Sequence, residues 1–198
     1  MNTLTLLKKL NLIISIIIAV IALYILIYPL LPEIVFKMSA NKFEGYAYQS
    51  TKSREVLDEK AKELPPIPLK NRLVIPKIYV NAPIVEGEDE SALDLGMWRM
   101  PNTSTPEKGG NTVITGHRTL YTSGPYTLYN LDKIEIDDFL LVYWQGKEYV
   151  YKVYEITEVN SEDTKILTNT TDSIITLFSC TPKWTSEQRL VVKANLQQ

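Results

Sequence analysis

The chain predicts an all-β domain of seven or eight short strands with short helices, carried behind one apolar N-terminal helix. Three observations predict it. From about residue 70 onward, short β-prone runs alternate with glycine, proline and asparagine turn signals. That segment, roughly 127 residues, is long enough for one hydrophobic core, and its strand number fits a closed barrel. Finally, residues 12–31 are apolar except for Ser15 and Pro29, close to the ~20 residues a helix needs to cross a bilayer.

The N-terminal segment reads as a signal anchor. A cleavable signal peptide has an apolar stretch of about 7 to 15 residues and small residues at its cut site, and neither fits here. Lys8 and Lys9 before the span are matched by Lys37 and Lys42 after it, so basic residues alone nearly balance. A short tail ahead of a long domain then assigns residues 1–11 to the cytoplasm, 12–31 to the membrane and the rest to the outside. Residues 32–69 are expected to form a stalk. Ser53 can cap a short amphipathic helix running to Glu63, and Leu64-Pro65-Pro66-Ile67-Pro68 ends it with extended backbone. The remaining domain covers residues 70–198.

Within that domain the first runs are Leu73-Val74-Ile75-Pro76-Lys77-Ile78 and Ala82-Pro83-Ile84-Val85-Glu86-Gly87. The next, Asn111-Thr112-Val113-Ile114-Thr115-Gly116-His117, follows the turn signal Lys108-Gly109-Gly110 and delivers a histidine at a strand end. Residues 139–144 are continuously apolar, Gln145-Gly146 makes a tight turn, and residues 148–159 form a long tyrosine-rich strand. Its polar residues move from an even position, Lys152, to odd ones, Glu155 and Thr157, which predicts a bulge near Val153-Tyr154. Ile174-Ile175-Thr176-Leu177-Phe178-Ser179-Cys180 closes on a cysteine, and Thr181-Pro182 ends that strand. In Arg189-Leu190-Val191-Val192-Lys193-Ala194-Asn195-Leu196, alternation turns Arg189, Val191, Lys193 and Asn195 away from the core.

Candidate chemistry concentrates on three of these residues. The chain of 198 residues holds one cysteine, Cys180, and one histidine, His117. A thiol becomes a strong nucleophile when a neighbouring base or cation favours its thiolate. Taken alone, each has an ordinary reading: Cys180 as a small buried hydrophobe, His117 as a hydrogen-bonded structural residue, Arg189 as a solvated charge.

At these residues the chain resembles the sortase family of membrane-anchored cysteine transpeptidases. Thr115-Gly116-His117 is similar to that family's Thr-Gly-His segment, Thr176-Leu177-Phe178-Ser179-Cys180 to its Thr-Leu-x-Thr-Cys segment, and Arg189 to the arginine of its last strand. The likeness covers roughly residues 70–196 in the family's order of His, Cys and Arg. It implies an eight-stranded closed β-barrel in which Cys180 attacks a peptide carbonyl, His117 transfers protons and Arg189 stabilises the oxyanion. Ser179 stands where the family usually has threonine, and its hydroxyl is expected to donate to a substrate carbonyl. The loop from Asn160 to Asp172 falls at the family's substrate-recognition loop. Its large apolar residues, Ile166 and Leu167, either line the pocket for the signal's leucine and proline or form a small satellite core.

The implied partners are surface proteins bearing a Leu-Pro-x-Thr-Gly-like sorting signal and an amine on peptidoglycan or another protein. The Ser-Thr-Pro-Glu-Lys-Gly-Gly and Cys-Thr-Pro-Lys-Trp stretches resemble class D or class E members. Pilin polymerisation is the alternative within the family, but that branch commonly carries an aspartate-proline-aromatic lid, and no such tripeptide occurs. A second alternative is an inactive tethered barrel with Cys180 and His117 buried in packing.

The net charge of −2 and the lack of a basic stripe interleaved with aromatics exclude nucleic acid as a partner. Glu86, Glu88, Asp89 and Glu90 around Gly87 read as a solvated turn without metal-ligand spacing. No metal and no cofactor is therefore expected. Asn102-Thr103-Ser104 and Asn169-Thr170-Thr171 match the glycosylation pattern but read as loop polarity.

Overall fold

Residues 3–31, 34, 38, 68–118, 126–183 and 185–197 are described by the structure, a computed structural model. The chain divides into two units, Met1–Lys42 and Phe43–Gln198. The first contains helix α1, Thr3–Ile27, followed by a single helical turn, Tyr28–Leu30. Its stretch Leu7–Ile27, 21 residues of mean hydropathy 3.0, is long and apolar enough to span a bilayer core of ~30 Å at ~1.5 Å per residue. Leu12, Ile13, Ile17, Ile18, Ile25 and Leu26 point in all directions about the axis and are all more than half exposed, so apolar side chains surround the helix. Helix α1 thus covers residues 12–27 of the apolar segment expected at 12–31. Pro29, which has no N–H to give, sits in the turn that follows α1. The proposed stalk helix, nearly all of the proline spacer, and Lys37 and Lys42 lie outside the described residues.

The second unit is a closed eight-stranded barrel. Its strands are β1 Arg72–Ile75, β2 Val80–Glu86, β3 Met97–Arg99, β4 Asn111–Thr115, β5 Phe139–Trp144, β6 Lys147–Asn160, β7 Ile174–Thr181 and β8 Gln188–Leu196. They close in the order β1-β2-β3-β4-β7-β8-β6-β5. The pairs β2–β3 and β4–β7 are parallel and all others antiparallel. The interior is filled by branched and aliphatic side chains with no measurable exposure, among them Leu73, Ile75, Ile114, Leu140, Val142, Ile175, Leu177 and Val192. Each contributes roughly 1.5–3 kcal/mol on burial.

Local chemistry sets the joints. Gln145 and Gly146 both have positive φ, 49° and 74°, the geometry of the two-residue turn that joins twisted antiparallel strands, here β5 and β6. The register of β6 against β8 shifts between Val153 and Glu155, where the change in polar phase predicts a bulge. Strand β3 is a structural addition to the sequence reading, since three residues are too few to show a period. The acidic turn is occupied locally. Glu86 holds Arg99 at 2.6 Å, and the Asp89 carboxylate accepts from the Ser91 N–H at 2.9 Å. Among the described residues no group of three or more His, Cys, Asp or Glu is placed to hold a metal ion.

Candidate active site

Strand β7 lies between β4 and β8, so one outward face is shared by three neighbouring strands. Alternation assigns that face: Ser179 is 1% exposed and points inward with Leu177, which turns Phe178 and the half-buried Cys180 outward. Cys180 is the direct cross-strand partner of Arg189 on β8. Directly opposite residues stand on the same face with Cβ atoms about 5 Å apart. The guanidinium is steadied from below, its Nη1 donating to the Ser186 and Gln188 carbonyls at 3.1 and 3.0 Å.

On the other side, β4 runs parallel to β7 in a register that ends with Thr115 beside Phe178. The Thr115 hydroxyl donates to the Phe178 carbonyl at 3.0 Å, and the Ser179 hydroxyl donates to the Gly116 carbonyl at 2.7 Å. The second bond carries the alignment one residue past the ladder, so that Gly116 stands beside Ser179, and His117 and Cys180 are the next residues along the two chain segments. The His117 carbonyl accepts from the Leu128 N–H at 2.8 Å, which ties down the chain leaving β4. The imidazole is about one-third exposed, and its Nε2 lies 4.0 Å from Asp94 Oδ1. Only glycine fits at Gly116, because a Cβ there would meet Met97 Sδ at 2.5 Å and Leu128 Cγ at 3.1 Å, and both neighbours are fully buried.

One expectation changes. Ser179, expected to donate to substrate, spends its hydroxyl on Gly116 inside the barrel, because it alternates with Cys180 and therefore occupies the opposite face. Val191 lies on the outward face with Arg189, as alternation predicts, in register beside Phe178, and is fully buried there.

The loop between β6 and β7 covers the start of the same outward face. It makes a short helical turn, Thr164–Leu167, in which Ile166 is buried and Leu167 half-exposed. Ile166 is therefore a packing residue, the satellite-core role, and Leu167 alone keeps an open apolar side. Sequence reasoning missed what fastens this loop. Asn111 Nδ2 donates to the Ile166 and Thr168 carbonyls, each at 3.0 Å, while its Oδ1 accepts from the Thr176 hydroxyl at 2.8 Å. The Asn111 N–H donates to Asn169 Oδ1 at 3.0 Å, which gives the second glycosylation-like asparagine a structural task. An amide at the first position of the strand was the available signal.

Arg118 was also missed. It is 3% exposed, with Nη2 donating to Asp132 Oδ1 at 2.8 Å. Asp132 Oδ2 also holds Lys183 at 3.2 Å, and the Lys183 ammonium lies 4.3 Å from the centre of the Tyr129 ring. Burial pushes the guanidinium below its ordinary range, opposed by Asp132, Tyr129, Cys180 and Glu158.

The chain thus forms a closed eight-stranded barrel with a thiol on β7, a guanidinium on β8 and an imidazole just past the end of β4. The family model for the sortase domain matches residues 73–197, and the chain belongs to the sortase family. It is similar to sortase SrtE1 of Streptomyces coelicolor, 33% identical over 61% of this chain and 38% of that protein. It is also similar to sortase D of Bacillus subtilis, 32% identical over 48% of this chain and 46% of that one. The chain thus spans less than half the length of these two curated relatives. Among solved structures, a lid mutant of sortase A from Corynebacterium diphtheriae superposes with a TM-score of 0.60 at 26% identity, covering 86% of this chain and 95% of that one. Sortase C-1 of Actinomyces oris gives 0.60 at 27%, covering 83% and 94%.

Proposed function

We propose that the protein is a cysteine transpeptidase that cuts a Leu-Pro-x-Thr-Gly-like sorting signal after threonine and joins the surface protein to a cell-wall amine. The observation that carries this reading is the direct pairing of Cys180 with Arg189, supported by a β4–β7 register that ends at Thr115 beside Phe178, two residues before His117 and Cys180. The Cys180 thiolate attacks the threonine carbonyl carbon, forming the C–S bond as the carbonyl electrons move to oxygen. Arg189 faces that oxyanion and steadies it, a type of contact worth ~3 kcal/mol where donors have been removed from other enzymes. His117, as the imidazolium, gives its proton to the departing glycine amine as the C–N bond breaks. The thioester remains on Cys180. An incoming amine then loses a proton to His117 and attacks the thioester, and the thiolate leaves.

Placement of the remaining residues supports the same reading. The outward face of β4 and β7 runs from beneath the β6–β7 loop to Cys180, a floor on which an extended peptide can lie, and Leu167 is assigned to its apolar residues. Ser179 positions β7 against Gly116. Helix α1 anchors the enzyme in the membrane, with residues 1–11 inside and the barrel outside, as on a Gram-positive cell. The test is a peptide library incubated with the full chain in detergent and an amine acceptor, followed by intact mass. A thioester adduct on Cys180 and a signal-dependent amide product are expected; absence of both with every peptide overturns the proposal.

A further inference from the structure

Asp94 and His117 face each other across a gap of useful width. Asp94 Oδ1 and His117 Nε2 are 4.0 Å apart, within ion-pair range but too far for a direct hydrogen bond. A third atom can bridge them. A nitrogen placed ~2.9 Å from each subtends an angle of roughly 90°, within about 20° of the angle between two N–H bonds of a tetrahedral ammonium. Both side chains are open to solvent, Asp94 at 74% and His117 at 36% exposure, so such a group can arrive from outside.

As a structural pair the contact is weak, because an exposed ion pair contributes at most about 1 kcal/mol. The backbone that presents Asp94 is nevertheless braced. Asp94 closes the helical turn Glu90–Asp94 between β2 and β3, and the Asp89 carboxylate caps the start of that turn by accepting from the Ser91 N–H at 2.9 Å. Ala92 is buried against Gly87, where an added Cβ would stand 2.8 Å from the Ala92 Cβ. The Gly87 carbonyl in turn accepts from the Trp98 indole at 3.0 Å. Just past the turn, a Cβ on Gly96 would stand 2.5 Å from the Pro83 carbonyl oxygen. Its neighbours on this connection are occupied differently: Glu86 holds Arg99 and Asp89 makes the cap, whereas the ionic partner of Asp94 among the described residues is His117 alone.

We propose that Asp94 and His117 together dock the acceptor, a primary ammonium that bridges Oδ1 and Nε2 before its nitrogen attacks the thioester. The inference rests on the transpeptidase reading and deepens it by naming the residue that recognises the nucleophile's charge. Once the first amine has taken its proton, His117 is neutral and Nε2 can accept. The arriving ammonium releases one proton to water and passes a second to His117 as the C–N bond forms and the C–S bond breaks to the Cys180 thiolate. Its third proton stays on the new amide. The nitrogen is positive on arrival and again as it forms the bond, so one carboxylate favours both stages.

The experiment separates the two half-reactions, using the full chain in detergent with a sorting-signal peptide at neutral pH. Thioester formation is followed by intact mass, and transfer is followed with two acceptors, triglycinamide for a peptide α-amine and Nα-acetyl-lysinamide for a protein side chain. Asp94→Asn should raise the acceptor KM about tenfold, the loss of one charge-assisted hydrogen bond at a partly solvated site, while thioester formation changes by less than about threefold. Hydrolysis by water, an uncharged nucleophile, should fall less than transfer does. Glu90→Gln, which removes a charge from the same turn, should leave the acceptor KM within about twofold of wild type. The acceptor with the larger loss identifies the source of the amine. An acceptor KM unmoved by Asp94→Asn for both acceptors, or moved equally by Glu90→Gln, overturns the inference. Equal loss in thioester formation also overturns it, since Asp94 would then act through His117 in both half-reactions. Each of these failures leaves the thioester intact, whereas its absence from the wild-type enzyme refutes the transpeptidase reading itself.

Discussion

Replacing Asn111 by alanine removes three side-chain hydrogen bonds, and the structure divides their cost between two places. Two of them hold the β6–β7 loop through the Ile166 and Thr168 carbonyls, and the third satisfies the Thr176 hydroxyl, fully buried on the outward face of β7. At about 1 kcal/mol for each bond, the loop loses about 2 kcal/mol and the barrel about 1 kcal/mol. The bond from the Asn111 N–H to Asn169 is a backbone bond and survives the change. About 2 kcal/mol corresponds to a roughly thirtyfold rise in the open population of the loop, at 1.4 kcal/mol per factor of ten. Amide exchange reads this directly. The Thr168 N–H, bonded to the Lys165 carbonyl at 3.1 Å, and the Lys165 N–H, bonded to Asp163 at 2.9 Å, should exchange about thirty times faster. Amides in the middle of β5 should change only with global stability. Because the loop covers one end of the outward face, KM for a sorting-signal peptide should rise while kcat stays near wild type. Exchange at Lys165 and Thr168 within threefold of wild type would refute the anchoring argument.

Other substitutions test the chemistry. Cys180→Ala should abolish acyl-enzyme formation and transfer with an unchanged circular dichroism spectrum, and His117→Ala should be nearly as damaging because no second histidine exists; a thioester-dependent product from either variant counts against the assigned roles. Arg189→Lys should cost an order of magnitude or more in turnover, about 1.4 kcal/mol per factor of ten, since a point charge cannot reproduce a planar fork. Near-normal transfer by Arg189→Ala would make that residue a mere solvated charge. Gly116→Ala should destabilise the barrel by about 1–3 kcal/mol through overpacking against Met97 and Leu128 and should slow turnover as His117 shifts, with a thermal melt and kcat as the two readouts. Protease added to intact protoplasts should digest the barrel, and full protection would reverse the proposed orientation.

Strands β4, β7 and β8 were legible because their apolar runs are long enough to show a phase and end at punctuating residues. The bulge in β6 was legible for the same reason, through the step from Lys152 to Glu155. Strand β3 escaped because three residues carry no period, and it is held by pairing with β2 and β4, remote information for a local reading. Adjacency in a motif also misled at Ser179. Being next to Cys180 in the chain places it on the opposite face of the strand, and alternation already contained that answer. Arg118 was illegible for a different reason: a charge just past a strand end reads as solvated, and its burial depends on the chain returning at Leu128 and Asp132.

Closure of the barrel has a consequence for recognition. Strand β7 is paired with β4 over Ile174–Phe178 and with β8 over Ile174–Thr181, so a peptide lying on the outward face there does not bind by joining those strands as an extra one. A sorting signal lying across β4 and β7 must have its main-chain carbonyls met by side chains. A guanidinium is the side chain best shaped to imitate a missing strand neighbour, because its planar fork presents parallel N–H donors much as a ladder does. Under the proposed function, Arg189 would stand in for the strand edge that β7 does not offer, and a peptide held by so few directed contacts would leave once its bond had been exchanged.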